Sequence, residues 1–268
     1  MLVLIGSVTF AQTYWLQPPR GNNVTLQFYK PDFDRTGDEL GSKTAVWFLS
    51  GKFRISGDFD LYVDLPVSRF DIKEGQQFYW IGDDQIATGN PYVGIRGRFS
   101  SVGVIRRIVG RIGLRPPLTS DDKQSATTVG RLTVYDRMEA FLPNRWSIDI
   151  GAGQMYDICR VCNLETDFGL ITMIPTEDRA DAEMWLTYGF AFWLRTSAVD
   201  LGAGLSGRWW ATSEDTNFGR ASVHLLGIAG VLKLGRVEPG IQFRLPADKD
   251  WRDEVASVVC LNLIVNLD

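Results

Sequence analysis

Strict alternation of apolar and polar side chains is the feature that most limits how this chain can fold. In residues 46–56, VWFLSGKFRIS, alternate positions are mostly apolar, and Lys52 and Arg54 lie on the opposite face. A Gly-Asp pair at 57–58 provides a turn, and residues 59–66, FDLYVDLP, resume the alternation. Successive side chains of a β-strand point to opposite faces, so this pattern predicts a β-hairpin with a two-residue connection.

The same alternation recurs in about a dozen segments, most of them near the ~10 residues of a membrane-spanning strand. One of them is 129–139, where Arg131, Arg137 and Glu139 alternate with apolar residues. No segment combines a 3.6-residue period with helix caps, so no helix is predicted. We therefore predict an all-β fold, a transmembrane antiparallel up-and-down β-barrel of about 12 strands. Other alternating segments are 91–99, 102–115, 146–152, 184–196, 197–210, 240–246 and 256–268.

Residues 184–196, MWLTYGFAFWLRT, raise the question of which solvent the apolar face meets. Every second residue from Met184 is apolar or aromatic, which suits either a soluble core or lipid. Three features favour lipid: the even spacing of many strands, a signal-like start, and 9 Trp residues that could form interfacial girdles. A soluble lipid-binding β-barrel remains the alternative, although its many apolar strand faces would need a covering layer that is not evident.

The N-terminal stretch MLVLIGSVTFAQ combines an apolar run with a small-residue site before Gln12. This arrangement is typical of a secretory signal peptide. We predict that residues 1–11 are the remnant of a signal peptide and that residues 12–268 form a single outer-membrane β-barrel domain. The alternative for residues 1–11 is a short buried strand.

Composition excludes two classes of protein. No stretch after residue 13 approaches the roughly 18 to 20 apolar residues of a membrane-spanning helix, which excludes an α-helical membrane protein. The net charge of −4 argues against a protein that binds nucleic acid by neutralising phosphates. The expected location is the bacterial outer membrane. The expected partners are the lipid bilayer, lipopolysaccharide and a small-molecule solute, and the oligomeric state is left open.

No catalytic or metal site emerges from the sequence. His224 is the only histidine, Ser222 lies two residues away, and no nucleophile motif surrounds either residue. The pair Cys159 and Cys162 lacks the further ligands that a zinc site needs, and it is either a loop disulfide or two free thiols. We therefore predict no enzyme activity, no cofactor and no metal.

The polar faces of the alternating segments supply the best candidate site. If the apolar faces meet lipid, the charged residues project into a lumen, where opposed cationic and anionic groups would orient and select solutes. Their alternative role is a salt-bridge network that fills the lumen and conducts nothing, since lumen size depends on strand number. The predicted lumen-lining residues are Lys52, Arg54, Asp60, Asp64, Arg96, Arg98, Arg107, Arg111, Arg131, Arg137, Glu139, Asp149, Asp200, Arg208 and Arg244.

Several phrases of the sequence resemble a known bacterial family. They lie at 46–70, 87–99, 136–153 and 237–246, and the strongest is GNPYVGIRGR at 89–98. The chain resembles the family of outer-membrane transporters linked to the meta-cleavage pathway of phenol degradation. The resemblance implies an outer-membrane barrel that passes small aromatic or other hydrophobic compounds, and it implies no catalytic residues.

These observations lead to one main functional hypothesis, an outer-membrane channel or transporter for small, hydrophobic or aromatic solutes. A structural outer-membrane barrel with a plugged lumen is the main alternative, and a soluble lipid-binding barrel is the second.

Overall fold

Antiparallel strands follow one another around a closed ring in the order in which they occur in the chain. The computed structural model describes residues 21–33, 41, 43–71, 84–99, 105–177, 181–213 and 221–268, without the side chains of 105–107. The predicted signal segment 1–11 lies outside these residues. The strands are β1 Asn23–Asp32, β2 Ala45–Ser56, β3 Phe59–Phe70, β4 Gln85–Thr88, β5 Tyr92–Phe99, β6 Ile105–Arg115, β7 Arg145–Asp157, β8 Cys162–Pro175, β9 Glu183–Arg195, β10 Val199–Trp210, β11 Ser222–Leu232, β12 Val237–Pro246 and β13 Ser257–Asn266.

The ring closes because β1 pairs with β2 on one side and with β13 on the other. Strand β3 pairs with β5 through Phe59–Asp64 and with the short β4 through Val67–Phe70. The sheet has 13 strands, and since β4 extends only one end of β3, the other 12 form the barrel. The predicted fold class and strand number are therefore confirmed. A closed ring leaves no sheet edge unpaired. This matters because strands can cross a lipid bilayer only if all their backbone groups are hydrogen-bonded.

The two faces of the wall differ as the alternation predicts. On β10, Leu201 is 49% exposed on the outer face, whereas Ser206 and Arg208 are each 2% exposed on the inner face. Phe190 and Phe192 of the segment 184–196 are exposed on the outside. The apolar face therefore meets lipid, and the chain is a barrel of the bacterial outer-membrane type.

The connections at the two ends of the barrel differ in length. Residues 57–58, 158–161, 196–198 and 233–236 are short connections at the end that also holds both terminal strand ends, Asn23 and Asn266. At the other end, residues 116–144 and 247–256 are longer. Because outer-membrane barrels have short periplasmic turns and long outer loops, these ends are the periplasmic rim and the extracellular rim.

The prediction of a strand at 129–139 and of no helix is wrong. Residues 116–144 contain a 3-10 turn at Asp121–Lys123, helix α1 at Gln124–Thr133 and a 3-10 segment at Tyr135–Phe141. A second short helix, α2, spans Lys249–Arg252. No helix in the described part of the chain is long and apolar enough to cross a membrane.

Candidate functional site in the barrel lumen

Residues 116–144, called the inserted segment below, join β6 to β7 and fold inward. Helix α1 contacts β1, β2, β3 and β4, while the 3-10 segment contacts β10 on the other side of the ring. The segment therefore spans the lumen close to the extracellular rim.

An apolar cluster holds one side of the inserted segment. Phe141 is fully buried, and its ring meets the ring of Phe48 edge-on at a centroid distance of 6.1 Å. Gly130 of α1 leaves room for this ring, because a Cβ atom there would lie 2.3 Å from Cγ of Phe141. The same cluster includes Tyr29 of β1 and Val258 of β13. The inserted segment thus has a small core of its own inside the barrel.

Two buried ion pairs also hold the inserted segment. Nη1 of Arg208 lies 2.8 Å from Oε2 of Glu139 and also donates to the carbonyl oxygen of Tyr135 at 3.0 Å. Nη1 of Arg244 lies 2.9 Å from Oδ1 of Asp136. We call Arg208–Glu139 and Arg244–Asp136 the anchor pairs. They join the inserted segment to β10 and β12, and all four side chains are buried.

Arg137 connects the inserted segment to the first strands. Its Nη2 donates to Oε1 of Gln27 at 3.0 Å and to the hydroxyl of Tyr29 at 2.6 Å. Its guanidinium lies 3.7 Å from the centre of the Phe48 ring, which adds a cation–π contact. Asp64 of β3 supplies a carboxylate 3.8 Å from Nη1.

Asn90, in the GNPY phrase, fixes the two ends of the inserted segment to each other. Its Nδ2 donates to the carbonyl oxygens of Glu139 at 3.0 Å and Leu142 at 2.6 Å. Its Oδ1 accepts from the backbone N–H groups of Leu118 and Thr119, both at 2.8 Å. An amide is the side chain that can donate and accept in this way, and Asn90 is 0% exposed.

The neighbours of Asn90 complete this junction. A Cβ atom at Gly89 would lie 2.3 Å from the carbonyl oxygen of Ala140, so the backbones approach too closely for a side chain. Arg115 of β6 donates to the carbonyl oxygen of Asn90 at 3.0 Å and to Oδ2 of Asp64 at 3.0 Å. The GNPY phrase is therefore explained by its contacts with the inserted segment.

Tyr135 keeps its proton at all ordinary pH values. Burial raises the pKa of its hydroxyl well above the usual range. The hydroxyl donates to the carbonyl oxygen of Val223 at 3.0 Å, and the ring lies 4.6 Å from that of Trp251. These contacts add a neutral attachment to the charged ones.

A second charged cluster lies towards the periplasmic rim. Nη2 of Arg98 donates to both oxygens of Asp60, at 2.8 and 2.9 Å. Nζ of Lys52 lies 3.8 Å and Nε of Arg54 lies 3.6 Å from the same carboxylate. In the register of the β2–β3 hairpin, Arg54 lies opposite Asp60 and Lys52 lies opposite Tyr62. Cations thus outnumber the carboxylate they surround.

The neighbouring strands carry a more balanced set. Nε of Arg111 lies 2.8 Å from Oδ2 of Asp149, and its Nη1 lies 2.7 Å from Oδ1 of Asp167. Arg96 donates to the hydroxyl of Tyr62 at 3.3 Å. Charges of opposite sign are therefore interleaved along the wall and paired locally, which differs from the predicted arrangement of opposed sides.

The structure also changes how several predicted site residues are placed. Arg137 and Glu139 lie in the lumen, but they come from the inserted segment and not from a wall strand. Arg131 lies on α1, where it donates to Oγ1 of Thr128 at 3.0 Å. The side chain of Arg107 is outside the described part of the structure. Asp200 is on the inner wall and pairs with Nζ of Lys233 at 2.5 Å.

Sequence reasoning left out some residues of this site. Asp136 and Asn90 could have been found only by knowing that 116–144 folds inward. Arg115 had a signal, since it shares the alternating face of Arg111. Asp167 lies in β8, a strand whose polar face was not identified.

The disulfide lies away from the inserted segment, whereas the free thiol of Cys260 is buried in the cluster around Phe141. Cys159 and Cys162 form a disulfide at the β7–β8 turn, which settles the pairing that the sequence left open. Among the described residues, no group of three or more His, Cys, Asp or Glu side chains is placed to hold a metal ion.

Comparisons with solved structures place the fold among outer-membrane barrels. An outer membrane channel from Pseudomonas putida F1 matches with a TM-score of 0.64 and 11% identity, over 92% of this chain and 96% of that chain. The KdgM porin has a TM-score of 0.54 at 7% identity, over 92% and 99% of the two chains. The NanC porin has a TM-score of 0.53 at 7% identity, over 92% and 100%. No family model matches the sequence, and a search of curated proteins finds no match.

Proposed function

We propose that this protein is an outer-membrane channel for small solutes. The observation that carries the proposal is a closed barrel whose polar lumen is narrowed by an inward-folded segment attached to the wall through buried ion pairs. Polar side chains and ion pairs in a lumen set which solutes can pass and in which orientation. The similar fold of a solved outer membrane channel and of the KdgM porin supports this proposal.

The inserted segment sets the narrowest cross-section in this proposal. At its level, Arg115, Arg208 and Arg244 are only 1 to 3% exposed, so the wall and the segment are in close contact. Solutes pass beside the segment or after it moves. The charged cluster around Asp60 then acts as a second filter on the periplasmic side.

The solute class is the finer part of the proposal. The resemblance to the phenol-pathway transporters favours small aromatic or other hydrophobic compounds. The arginines of the lumen favour those that also carry a negative group, because guanidinium ions bind carboxylates through paired hydrogen bonds. A small aromatic carboxylate meets both criteria. We propose a role in transport and not in catalysis.

Single-channel recording of the purified protein in planar lipid bilayers tests the channel role. We expect discrete conductance steps in potassium chloride. Absence of both conductance and solute entry into proteoliposomes would establish the plugged barrel instead.

Swelling of proteoliposomes in benzoate, compared with a non-aromatic carboxylate of similar size, tests the solute class. Faster swelling in benzoate is expected. Equal rates in a protein that conducts ions would overturn the aromatic preference and leave the channel role standing.

A further inference from the structure

Two tryptophan rings are stacked on the inner wall at the extracellular end of the lumen. Trp185, near the start of β9, lies opposite Trp210, the last residue of β10, in the strand register. Their ring planes differ by only 3°, and the ring centres are 5.5 Å apart. Nearly parallel rings at this separation are offset and attract each other, so the pair forms one flat, ordered aromatic surface.

Only one ring of this stack is open to the extracellular side. Trp185 is 9% exposed, and its ring centre lies 5.4 Å from the guanidinium of Arg208. Met138 and Leu142 of the inserted segment pack against the apolar cluster to which Trp185 belongs. Trp210, in contrast, is part-exposed. A solute that enters beside the inserted segment therefore meets the ring of Trp210 first.

The hydrogen-bonding groups beside the stack are already in use. Nε1 of Trp210 donates to Oγ1 of Thr212 at 3.0 Å, and the same oxygen accepts from the backbone N–H of Met184 at 3.1 Å. Nε1 of Trp185 donates to Oε2 of Glu183 at 3.4 Å. Trp210 thus offers a solute its ring and not a hydrogen bond. A sugar suits such a surface poorly, because each of its hydroxyl groups needs a partner when it leaves water.

Arg145, the first residue of β7, places a positive charge next to the stack. Its Nη1 lies 2.6 Å from Oε1 of Glu183, the residue that also binds Trp185. The Arg145 side chain is 23% exposed, and its Nε and Nη2 groups form no hydrogen bond with the described residues. These two nitrogens make up the side of a guanidinium that binds a carboxylate through paired hydrogen bonds.

We propose that Trp210 and Arg145 form an entry site for an aromatic carboxylate at the extracellular mouth of the lumen. The solute ring stacks on the exposed part of Trp210, and the solute carboxylate accepts hydrogen bonds from Nε and Nη2 of Arg145. Because Glu183 and Trp185 lie between these two groups, a carboxylate a few bonds away from its ring fits best. This inference rests on the proposed channel function and assigns the first contact of the solute to named residues.

Fluorine NMR tests the site in detergent, with the 9 tryptophans replaced by 5-fluorotryptophan. Trp210→Phe identifies the signal of Trp210 by its loss. Trp209→Phe identifies the matched control, the neighbouring residue on the opposite face of β10. Titration with 3-phenylpropanoate should shift the Trp210 signal to saturation and leave the Trp209 signal in place. An equal shift of both signals, or no saturable shift at Trp210, would overturn the proposal.

The choice of solute separates ring stacking from simple apolar contact. 3-Cyclohexylpropanoate has the same charge and a similar size, but its ring is not aromatic. We expect it to bind roughly three- to tenfold more weakly, which is the range that aromatic stacking adds to apolar burial. Equal affinity for the two acids would show that Trp210 does not recognise an aromatic ring, and tighter binding of a neutral sugar would replace the proposed solute class.

Arg145→Gln tests the carboxylate end of the site. This variant keeps a polar side chain and removes the charge, and we expect it to weaken binding of 3-phenylpropanoate about tenfold. Arg160→Gln, at the exposed β7–β8 turn on the periplasmic side, should bind as the wild type does. Unchanged affinity in Arg145→Gln would remove Arg145 from the site.

Conductance of the same preparation in planar bilayers separates the entry site from the channel role. A protein that conducts ions but shows no saturable shift at Trp210 would overturn the entry site and leave the channel standing. A protein that binds 3-phenylpropanoate at Trp210 but neither conducts nor admits solute would keep the binding site and overturn the proposed function.

Discussion

Arg208 on β10 and Glu139 on the inserted segment form a buried ion pair, with Nη1 and Oε2 2.8 Å apart and both side chains 2% exposed. The cost of removing one buried partner exceeds the benefit of the pair, because the other charge loses its short counter-charge contact. Without Arg208, Glu139 would keep a longer contact to Nε of Arg115, 3.8 Å from its Oε1. The pair is therefore one of the contacts that hold the inserted segment in place.

Removing one member of this pair should destabilise the protein more than removing both. We expect Arg208→Leu to lower the free energy of unfolding by about 3 to 5 kcal/mol. Arg208→Leu combined with Glu139→Leu should recover most of this loss. Urea unfolding followed by tryptophan fluorescence measures both. The matched control is Arg145→Leu, because Arg145 and its partner Glu183 are both part-exposed. Its loss should lower the free energy of unfolding by about 0 to 1 kcal/mol. Equal effects at both pairs would contradict this explanation.

Asn90→Ala should loosen the inserted segment without opening the barrel. The substitution removes the side-chain bonds to Leu118, Thr119, Glu139 and Leu142 and leaves buried backbone groups unsatisfied. We expect faster cleavage between residues 116 and 144 by added protease and larger current fluctuations in bilayers.

Asn163→Ala provides the control for this experiment. Asn163 also carries an amide that donates to a side chain, Asp157 at 2.8 Å, but it lies at the periplasmic end of β8. Its cleavage pattern and current noise should match those of the wild type. If Asn90→Ala behaves in the same way, Asn90 does not hold the segment.

The charged cluster around Asp60 should control ion preference. Replacing Arg96 and Arg98 with Gln removes two positive charges and leaves Asp60 with Lys52 and Arg54. We expect the reversal potential in a potassium chloride gradient to shift towards cation preference. Arg236→Gln, at an exposed turn, should leave it unchanged. A double variant with unaltered selectivity would show that the ion path avoids these arginines. Arg208 is best tested separately, because its loss also displaces the inserted segment.

Gly113→Ala should disturb the packing of Tyr92. A Cβ atom at Gly113 would lie 2.1 Å from the Tyr92 hydroxyl, which also lies 3.2 Å from Oδ2 of Asp149. The ring must shift, and we expect a cost of about 1 to 3 kcal/mol in urea unfolding. In a Tyr92→Ala background the same substitution should cost much less. Equal costs in the two backgrounds would mean that another contact is responsible.

The wall of the barrel could be predicted from the sequence because each strand carries its own signal. The hairpin of β2 and β3 shows this well: alternation predicted the two faces, and the two-residue turn at 57–58 places Ser56 opposite Phe59. Local pattern and turn chemistry were sufficient for this much, since both act within one hairpin. They did not predict the register shift between Arg54 and Ser56, which brings Arg54 opposite Asp60.

The inserted segment could not be predicted in the same way. Ala126, Val129, Gly130 and Thr133 are buried at helical spacing, but glycine and threonine give that face little apolar character. Meanwhile Arg131, Arg137 and Glu139 fall on alternate positions and imitate a strand. Their true roles depend on Tyr29, Arg208 and other partners far away in the sequence. The alternation of charged and apolar residues at 129–139 thus predicted a strand wrongly, because tertiary contacts decide the structure of this segment.

The cluster around Phe141 also bears on how the barrel closes. Tyr29 on β1 lies opposite Cys260 on β13 across the seam between the first and last strands, and both belong to this cluster with Phe141. The first and last strands therefore pack, at their junction, against side chains of the inserted segment, which comes from the middle of the chain. Because the two share one cluster, we expect a substitution that weakens the docking of the inserted segment to weaken closure of the seam as well.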